Sequence, residues 1–321
     1  MIRRVFLAAG LALFVLLVYR LGLGRIAGML LDLGWGFLAI ALLYGGHQLL
    51  RTAALRLCLP IHANVRYHEL LWIRVAGETV AYLTFTGPFL AEPTRAWLLK
   101  RRGLTAEEGF AASLTEYLVY TLLAAAFSVA ALVVLYARFP LHGALRTGVA
   151  ATIAGMSLFL AVAVLAIVFR VHLIGAVLGR LTAIPMLRRR WRLDPVRVSR
   201  MEDLLLHVLR DSPLRLLRIV LFDVCAQTVL IVELYLMMTM LALAFPLVYP
   251  VLIEAGSKLA NTAFFFIPAR IGAAEGVLAI MFEIVGLPAA AGFTVSFARR
   301  LRSLIVAVVG GFALSSLSRD R

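Results

Sequence analysis

Apolar residues fill the chain in stretches close to twenty residues long, separated by short segments rich in arginine, glycine and proline. The longest stretches fall at 5–20, 34–50, 67–86, 110–137, 145–169, 215–245, 250–267 and 291–315. A helix rises about 1.5 Å per residue, so about 20 apolar residues cross a hydrocarbon layer ~30 Å thick. The pattern therefore predicts an all-α polytopic membrane protein with about eight transmembrane helices. Two further apolar segments, 88–99 and 271–285, are too short to cross comfortably. The first follows Gly87-Pro88 and the second follows Pro268 and Gly272. They are expected as two short broken or re-entrant helices, since irregular backbone at membrane depth survives only against protein or a watery cavity. Whether they span or turn back is left open. Arg3 and Arg4 lead into the run Val5 to Val18, but Tyr19-Arg20-Leu21-Gly22 offers no small-residue cleavage site. A retained first helix is expected.

Composition narrows the class. Of 321 residues, 63% are hydrophobic and 15% charged, with mean hydropathy +0.96, against roughly 45–50% and 25% in soluble domains. That excludes a soluble enzyme domain, a disordered chain and a disulfide scaffold. The formal charge is +15, from 32 basic and 17 acidic residues, and only Lys100 and Lys258 are lysine. The arginines lie between apolar runs, where the positive-inside rule and anionic headgroups account for them; no nucleic acid is expected as a partner. The stretch 170–218 carries eleven arginines. This stretch, Lys100-Arg101-Arg102 and both termini are placed on the cytoplasmic side of a bacterial-type inner membrane. Within it, Asp194 suits a helix N-cap and Pro195 the first helical position. Met201, Leu204, Leu205, Val208 and Leu209 then share a face, which reads either as a surface amphipathic helix or as a solvated connector. Cys58 and Cys225 lie far apart in sequence and are expected as free thiols.

An internal repeat organises the rest. Gly103-Leu104-Thr105-Ala106-Glu107-Glu108-Gly109-Phe110-Ala111-Ala112-Ser113 returns as Gly286-Leu287-Pro288-Ala289-Ala290-Ala291-Gly292-Phe293-Thr294-Val295-Ser296, an offset of 286 − 103 = 183. Each copy follows a Pro/Gly-broken apolar segment. An odd number of crossings between the copies would invert the second, and inverted repeats with broken helices are the architecture of alternating-access transporters. The chain is read as one flippase-like transmembrane domain over 1–321. Its first repeat core is 67–137, its basic cytoplasmic loop with the amphipathic helix 170–214, and its second repeat core 250–315.

Charges inside apolar runs are costly, by about 2.5–3.5 kcal/mol each on insertion scales. Arg74, Glu78, Glu92, Arg95, Glu116, Asp223, Glu233, Glu254, Lys258, Glu275, Glu283, Arg299, Arg300 and Arg302 fall there. They must face one another or a hydrated cavity. Arg74 and Glu78 are four apart, as are Glu254 and Lys258, so each pair can neutralise itself along a helix. Asp223 and Glu233 require partners on other helices. Glu92-Pro93-Thr94-Arg95 is expected to open a short helix, where an N-terminus and a guanidinium could grip a phosphate; an ordinary interfacial ion pair is the alternative. Glu116 and Arg299 occupy the same repeat position, and a direct contact between them is expected if that position lies on the pseudo-axis.

No nucleotide-binding loop, nucleophile elbow or zinc-protease motif is present. Metal sites and cofactors are not expected, and His47 reads as a packing residue. Gly87-Pro88-Phe89-Leu90-Ala91-Glu92-Pro93-Thr94-Arg95 and Ile267-Pro268-Ala269-Arg270-Ile271-Gly272-Ala273-Ala274-Glu275 resemble the motifs of a known family. It is the flippase-like transmembrane region of lysylphosphatidylglycerol synthases and their stand-alone relatives. Glu92 and Arg95 match its first motif and Glu116 the glutamate of the following helix. Gly272, Glu275 and Arg300 match its second motif and last helix. Ala91 stands where the family usually has glycine, and Tyr117 where it often has arginine.

The resemblance implies movement or binding of an anionic or amphipathic lipid between leaflets, with no lysyl transfer from tRNA. The expected lipid is a phospholipid or a polyprenyl- or hopanoid-type lipid. The substrate-binding residues are expected to be Glu92, Arg95, Glu116, Gly272, Glu275, Arg299 and Arg300, with no catalytic residue. The alternative is a non-transporting membrane partner of a lipid, hopanoid or glycolipid biosynthesis enzyme, docked through the basic loop. A lipid-biosynthesis enzyme and a second copy of the chain are the candidate protein partners. An intramembrane transferase using Glu92 or Glu116 as base is a third reading, for which no nucleophile or metal motif stands out.

Overall fold

The computed structural model describes residues 34–84, 88–169, 195–263 and 271–319, with Gly24, Gly28 and Leu31 as isolated positions before them. The run 5–20, the arginine-rich stretch 170–194, Gly87 and Ile267 to Arg270 lie outside the described residues. Among the described residues the chain forms ten α-helices and no strand. In order they are α1 (Gly36–Cys58), α2 (Tyr67–Leu83), α3 (Pro88–Lys100), α4 (Ala106–Arg138), α5 (Gly143–Val168), α6 (Pro195–Leu206), α7 (Pro213–Met240), α8 (Val248–Ala263), α9 (Ala273–Ile284) and α10 (Ala289–Arg319). A π-helical turn, His207–Asp211, follows α6.

Each apolar run from residue 34 onward becomes one helix, but their lengths differ in a way that matters. Four helices, α4, α5, α7 and α10, are long and apolar enough to cross a membrane. Of the eight spans expected, 5–20 lies outside the described residues, and four of the other seven meet that standard. The 23 residues of α1 include His47, Gln48, Arg51 and Arg56, which dilute its hydropathy. Helices α2 and α8 have 17 and 16 residues. The 13 residues of α3 and 12 of α9 reach only ~20 Å and ~18 Å. Neither can cross ~30 Å of hydrocarbon alone.

The repeat extends well beyond the eleven-residue match. Shifted by 183, α1 to α4 fall on α7 to α10 in order, with most boundaries displaced by only a few residues. The turns between the third and fourth helices coincide: Gly103 (φ +94°) and Gly286 (φ +78°) both take the left-handed conformation that a side chain disfavours. After each turn a glycine lets the fourth helix close on the third. A Cβ on Gly109 would stand 3.1 Å from the Ala96 carbonyl oxygen, and one on Gly292 would stand 2.5 Å from that of Leu278, beside Ala279. Ala96 and Ala279 are themselves 183 residues apart. Only the cap differs. Thr105 accepts from the Glu108 amide at 3.2 Å while Glu108 accepts from the Thr105 amide at 2.9 Å; Pro288 stands at the equivalent place before α10.

The two halves pack in the pattern a two-fold axis produces. The equivalent helices α1 and α7 lie against each other, α2 packs on α10, and α8 packs on α4. Gly310 of α10 admits Thr79 of α2 so closely that Thr79 Oγ1 donates to the Ala307 carbonyl at 3.2 Å. Two apolar cores result. One, around Leu55, Leu70, Ile73, Leu99 and Ile219, is built mainly on the first repeat. The other, around Ile40, Leu234, Met237, Ile253, Phe282 and Val295, is built mainly on the second. Helices α1 and α7 run through both, and their polar residues fall between. On α1, His47, Gln48 and Arg51 separate Ile40 from Leu55; on α7, Asp223, Gln227 and Glu233 separate Ile219 from Leu234.

Helix α6 begins at Pro195, as its sequence predicts. Its apolar face does more than rest on lipid. Leu205, with Val208 and Leu209 of the π turn, is buried in the first core with Leu98, Leu99 and Val119, so the segment is packed into the bundle. Helix α5 is the opposite case: of its residues only Ala166 is buried, and Leu158, Phe159, Val162 and Leu165 are exposed. In water that surface would be untenable, whereas against acyl chains it costs nothing.

Candidate functional site

The charged residues of the apolar runs converge between the two cores. In the first repeat, Glu116 of α4 is fully buried and holds two arginines through one oxygen. Arg51 of α1 donates from Nε at 2.8 Å, and Arg74 of α2 approaches with Nη1 at 3.1 Å. Arg74 also donates from Nε to Gln48 Oε1 at 3.0 Å. So Arg74 is drawn across to Glu116, and Glu78 meets Arg95 (3.8 Å) and the Tyr44 hydroxyl (3.3 Å).

In the second repeat the arrangement returns with its signs reversed. Arg299 of α10, the equivalent of Glu116, is the cation. Its Nη1 lies 2.8 Å from Glu254 Oε2 on α8 and its Nη2 4.0 Å from Glu233 Oε2 on α7. Glu233 also accepts from Arg302, and Glu254 accepts from Lys258 Nζ at 3.0 Å. In both halves, then, the fourth helix supplies the hub and the first and second helices its two counter-charges. Glu233 meets its need on another helix, and Glu254–Lys258 pairs along its own helix, as their spacing predicts. The expected contact between Glu116 and Arg299 is not made. Each is surrounded by its own pair, because the axis passes between α1 and α7 rather than through the fourth helices.

The two short helices carry equivalent glutamates, Glu92 and Glu275 (275 − 92 = 183). Glu92 accepts from Arg95 Nη1 at 2.7 Å and from the Ser113 hydroxyl. Glu275 accepts from Arg300 through Nε (2.7 Å) and Nη2 on one oxygen, and from the Gly272 amide (2.9 Å) on the other. The cation changes position between the copies. Tyr117 stands where the second repeat has Arg300, and Arg95 supplies the guanidinium instead; the equivalent of Arg95 is Leu278. Gly272 holds φ +77°, which keeps its amide aimed at Glu275. Pro93 is not in the first turn of its helix, which starts five residues earlier at Pro88. The open helix end therefore lies a turn before Glu92, and Arg95 depends on Glu92, Glu78 and the space above Gly77.

An aromatic bridge joins the two ionic groups. The guanidinium of Arg302 lies 3.7 Å over the Tyr44 ring, and that of Arg51 3.4 Å over the Tyr120 ring. His47 stacks on Tyr44 at 5.2 Å, and its Nε2 lies 3.4 Å from the Tyr120 hydroxyl. His47 is a packing residue, as read, but one that connects the halves. Arg51, Gln48, Tyr44, Tyr120 and Ser113 do not stand out in the sequence. Arg51 escapes because the apolar run is cut just before it; following the run through Ala53, Ala54 and Leu55 would have included it.

Among the described residues the network holds seven cations and seven carboxylates. Arg51, Arg74, Arg95, Lys258, Arg299, Arg300 and Arg302 face Glu78, Glu92, Glu116, Asp223, Glu233, Glu254 and Glu275. Glu283 is exposed and outside it. Fully ionised, these fourteen side chains sum to zero, which is the balance a low-dielectric interior favours.

Helices of this length and apolarity around a neutral ionic core define a multi-pass membrane protein with two internal repeats. The family described as Lysylphosphatidylglycerol synthase TM region matches residues 2–311, and the chain belongs to that family. No curated protein and no solved structure matches it.

Proposed function

We propose that the protein moves an anionic or amphipathic lipid between membrane leaflets, as a transporter rather than an enzyme. Its headgroup would enter the ionic core between two repeats of inverted topology, while the apolar chains stay in lipid. The observation that carries this reading is the core itself. A purely structural role would not need fourteen charged side chains between two apolar cores, since well-packed hydrophobic residues are commonly at least as stable as buried ion pairs. Every cation already has a carboxylate against it or near it, so a phosphate would bind by replacing one. Arg95 and Arg300 suit that exchange, because each pairs with the glutamate of a helix too short to cross. Bidentate pairing suits a guanidinium to a phosphate as well as to a carboxylate. The reading places the protein in a bacterial-type inner membrane with cytoplasmic termini, and takes phospholipids and polyprenyl or hopanoid lipids as its substrate classes.

The test is leaflet exchange of labelled phosphatidylglycerol in proteoliposomes, comparing the wild type with Arg95→Ala and Glu275→Gln. Fast exchange that both substitutions reduce at least tenfold is expected. Folded wild type that exchanges no lipid across an anionic and zwitterionic panel would overturn the reading in favour of a non-transporting partner of a lipid-biosynthesis enzyme.

A further inference from the structure

Asp223 differs from every other carboxylate of the core. It is fully buried near the middle of α7, yet among the described residues neither of its oxygens has a hydrogen-bond partner. The charged and titratable groups that act on it come from three helices. Arg51 and Cys58 lie on α1, Arg74 on α2 and Glu116 on α4; the arginines attract it and Glu116 repels it. Helices α8 and α10 bring Arg299 and their other charges to α7 at Glu233, ten residues away. One turn further along α7 from Asp223, Gln227 also has both side-chain atoms unpartnered, as does the second oxygen of Glu116. A carboxylate without a single hydrogen bond gains least from being ionised, and burial penalises its charge.

The charge balance says when that carboxylate would change state. With seven cations and seven carboxylates among the described residues, their charges sum to zero only if Asp223 is ionised. One added phosphate leaves the core with a net negative charge in a low-dielectric interior, which burial penalises. Neutralising the least-bonded carboxylate removes that penalty and releases Arg51 and Arg74 from one of their counter-charges. We propose that Asp223 takes up one proton when an anionic headgroup enters the core and returns it when the headgroup leaves, so that anion and proton move as a neutral pair. The proton comes from the aqueous phase open to the core and converts the carboxylate to the acid; no other bond changes. This rests on the reading of the core as a headgroup site.

The experiment titrates the purified protein, in a neutral detergent and weak buffer containing a pH-indicator dye, with phosphatidylglycerol and with phosphatidylcholine. Bound lipid is counted by mass spectrometry of the intact complex. Uptake of one proton per phosphatidylglycerol and none per phosphatidylcholine is expected for the wild type. Asp223→Asn should bind phosphatidylglycerol with no proton uptake, and it should fold, since it removes a buried charge without removing a hydrogen bond. Phosphatidylglycerol binding to the wild type without proton uptake overturns the proton proposal and leaves lipid handling standing. Uptake that persists in folded Asp223→Asn overturns the assignment to Asp223. If that variant does not fold, the wild-type proton count decides. Absence of both lipid binding and leaflet exchange overturns the functional reading instead.

Discussion

Glu116 and Arg299, 183 residues apart, hold the same position in the two repeats with opposite charge, and each is clasped by two counter-charges from the first and second helices of its own half. Neutralising Glu116 takes away the carboxylate that Arg51 and Arg74 both touch, whereas neutralising Arg299 leaves Glu233 on Arg302 and Glu254 on Lys258. Breaking a buried pair by removing one partner costs about 3–5 kcal/mol. Glu116→Gln should lower unfolding stability by at least about 3 kcal/mol and Arg299→Gln by clearly less, read from denaturant titration in detergent. Because the triads share no partner, the double variant should lose the sum of the two within about 0.5 kcal/mol. Glu116→Gln combined with Arg74→Gln should lose clearly less than their sum, since those two meet. Strong coupling between Glu116 and Arg299 would refute the separation of the triads.

The exchange of cations between the copies gives a rescue experiment. Arg300 reaches Glu275 from the fourth helix, whereas Arg95 reaches Glu92 from within the third, and Tyr117 fills the place of Arg300. Arg95→Ala should lower the melting temperature in detergent by several degrees, leaving Glu92 with only the Ser113 hydroxyl. Adding Tyr117→Arg rebuilds the geometry of the second repeat in the first and should recover at least half of the loss. No recovery would mean that the two short helices do not present their glutamates in equivalent ways.

Periodicity and composition locate the helices, because a membrane helix must satisfy its own backbone and advertises itself as a long apolar run. The boundaries of α4 and α5 and the short α3 and α9 follow from that alone. The eleven-residue repeat, too, marked a correspondence that the helices then extend to four elements in each half. Charge partners were harder to read. The i,i+4 spacing placed Lys258 on Glu254 correctly, but the same spacing for Arg74 and Glu78 missed that a fully buried Glu116 competes for Arg74. Such choices depend on which helices cross at what depth, and sequence separation carries no information about that. Arg51 and the Tyr44–His47–Tyr120 bridge belong to the same category, since their partners lie on other helices.

Gly77 makes room for the arginine it faces. A Cβ there would run into Arg95 Nε and would stand 2.7 Å from its Cγ and 3.0 Å from its Cδ. The side chain is long enough to move, so Gly77→Ala should fold and displace the guanidinium from Glu92 and Glu78. Phosphatidylglycerol exchange should fall by as much as in Arg95→Ala, and the double variant should be no worse than either single one. A further drop in the double variant would show that Gly77 acts elsewhere.

In each half a glycine of the fourth helix faces the main chain of the third, and the two junctions are not equally tight. Across that junction a Cβ on Gly109 meets its nearest atom at 3.1 Å, a separation that a few tenths of an ångström of adjustment can relieve. On Gly292 it meets the Leu278 carbonyl oxygen at 2.5 Å, with the Leu278 carbonyl carbon at 2.9 Å and Ala279 Cα at 3.0 Å, all backbone atoms that cannot turn aside. Overpacking of a well-filled interior costs about 1–3 kcal/mol, and more when the obstacle is main chain. Gly109→Ala should therefore lower stability by about 1 kcal/mol and Gly292→Ala by about 3 kcal/mol, measured by the same denaturant titration. The larger change would also push α9 away from α10 and lengthen the Glu275–Arg300 pair. Gly292→Ala is accordingly expected to impair phosphatidylglycerol exchange at a temperature where it is still folded, while Gly109→Ala exchanges near the wild-type rate. Equal effects of the two substitutions would contradict the difference in spacing on which this rests.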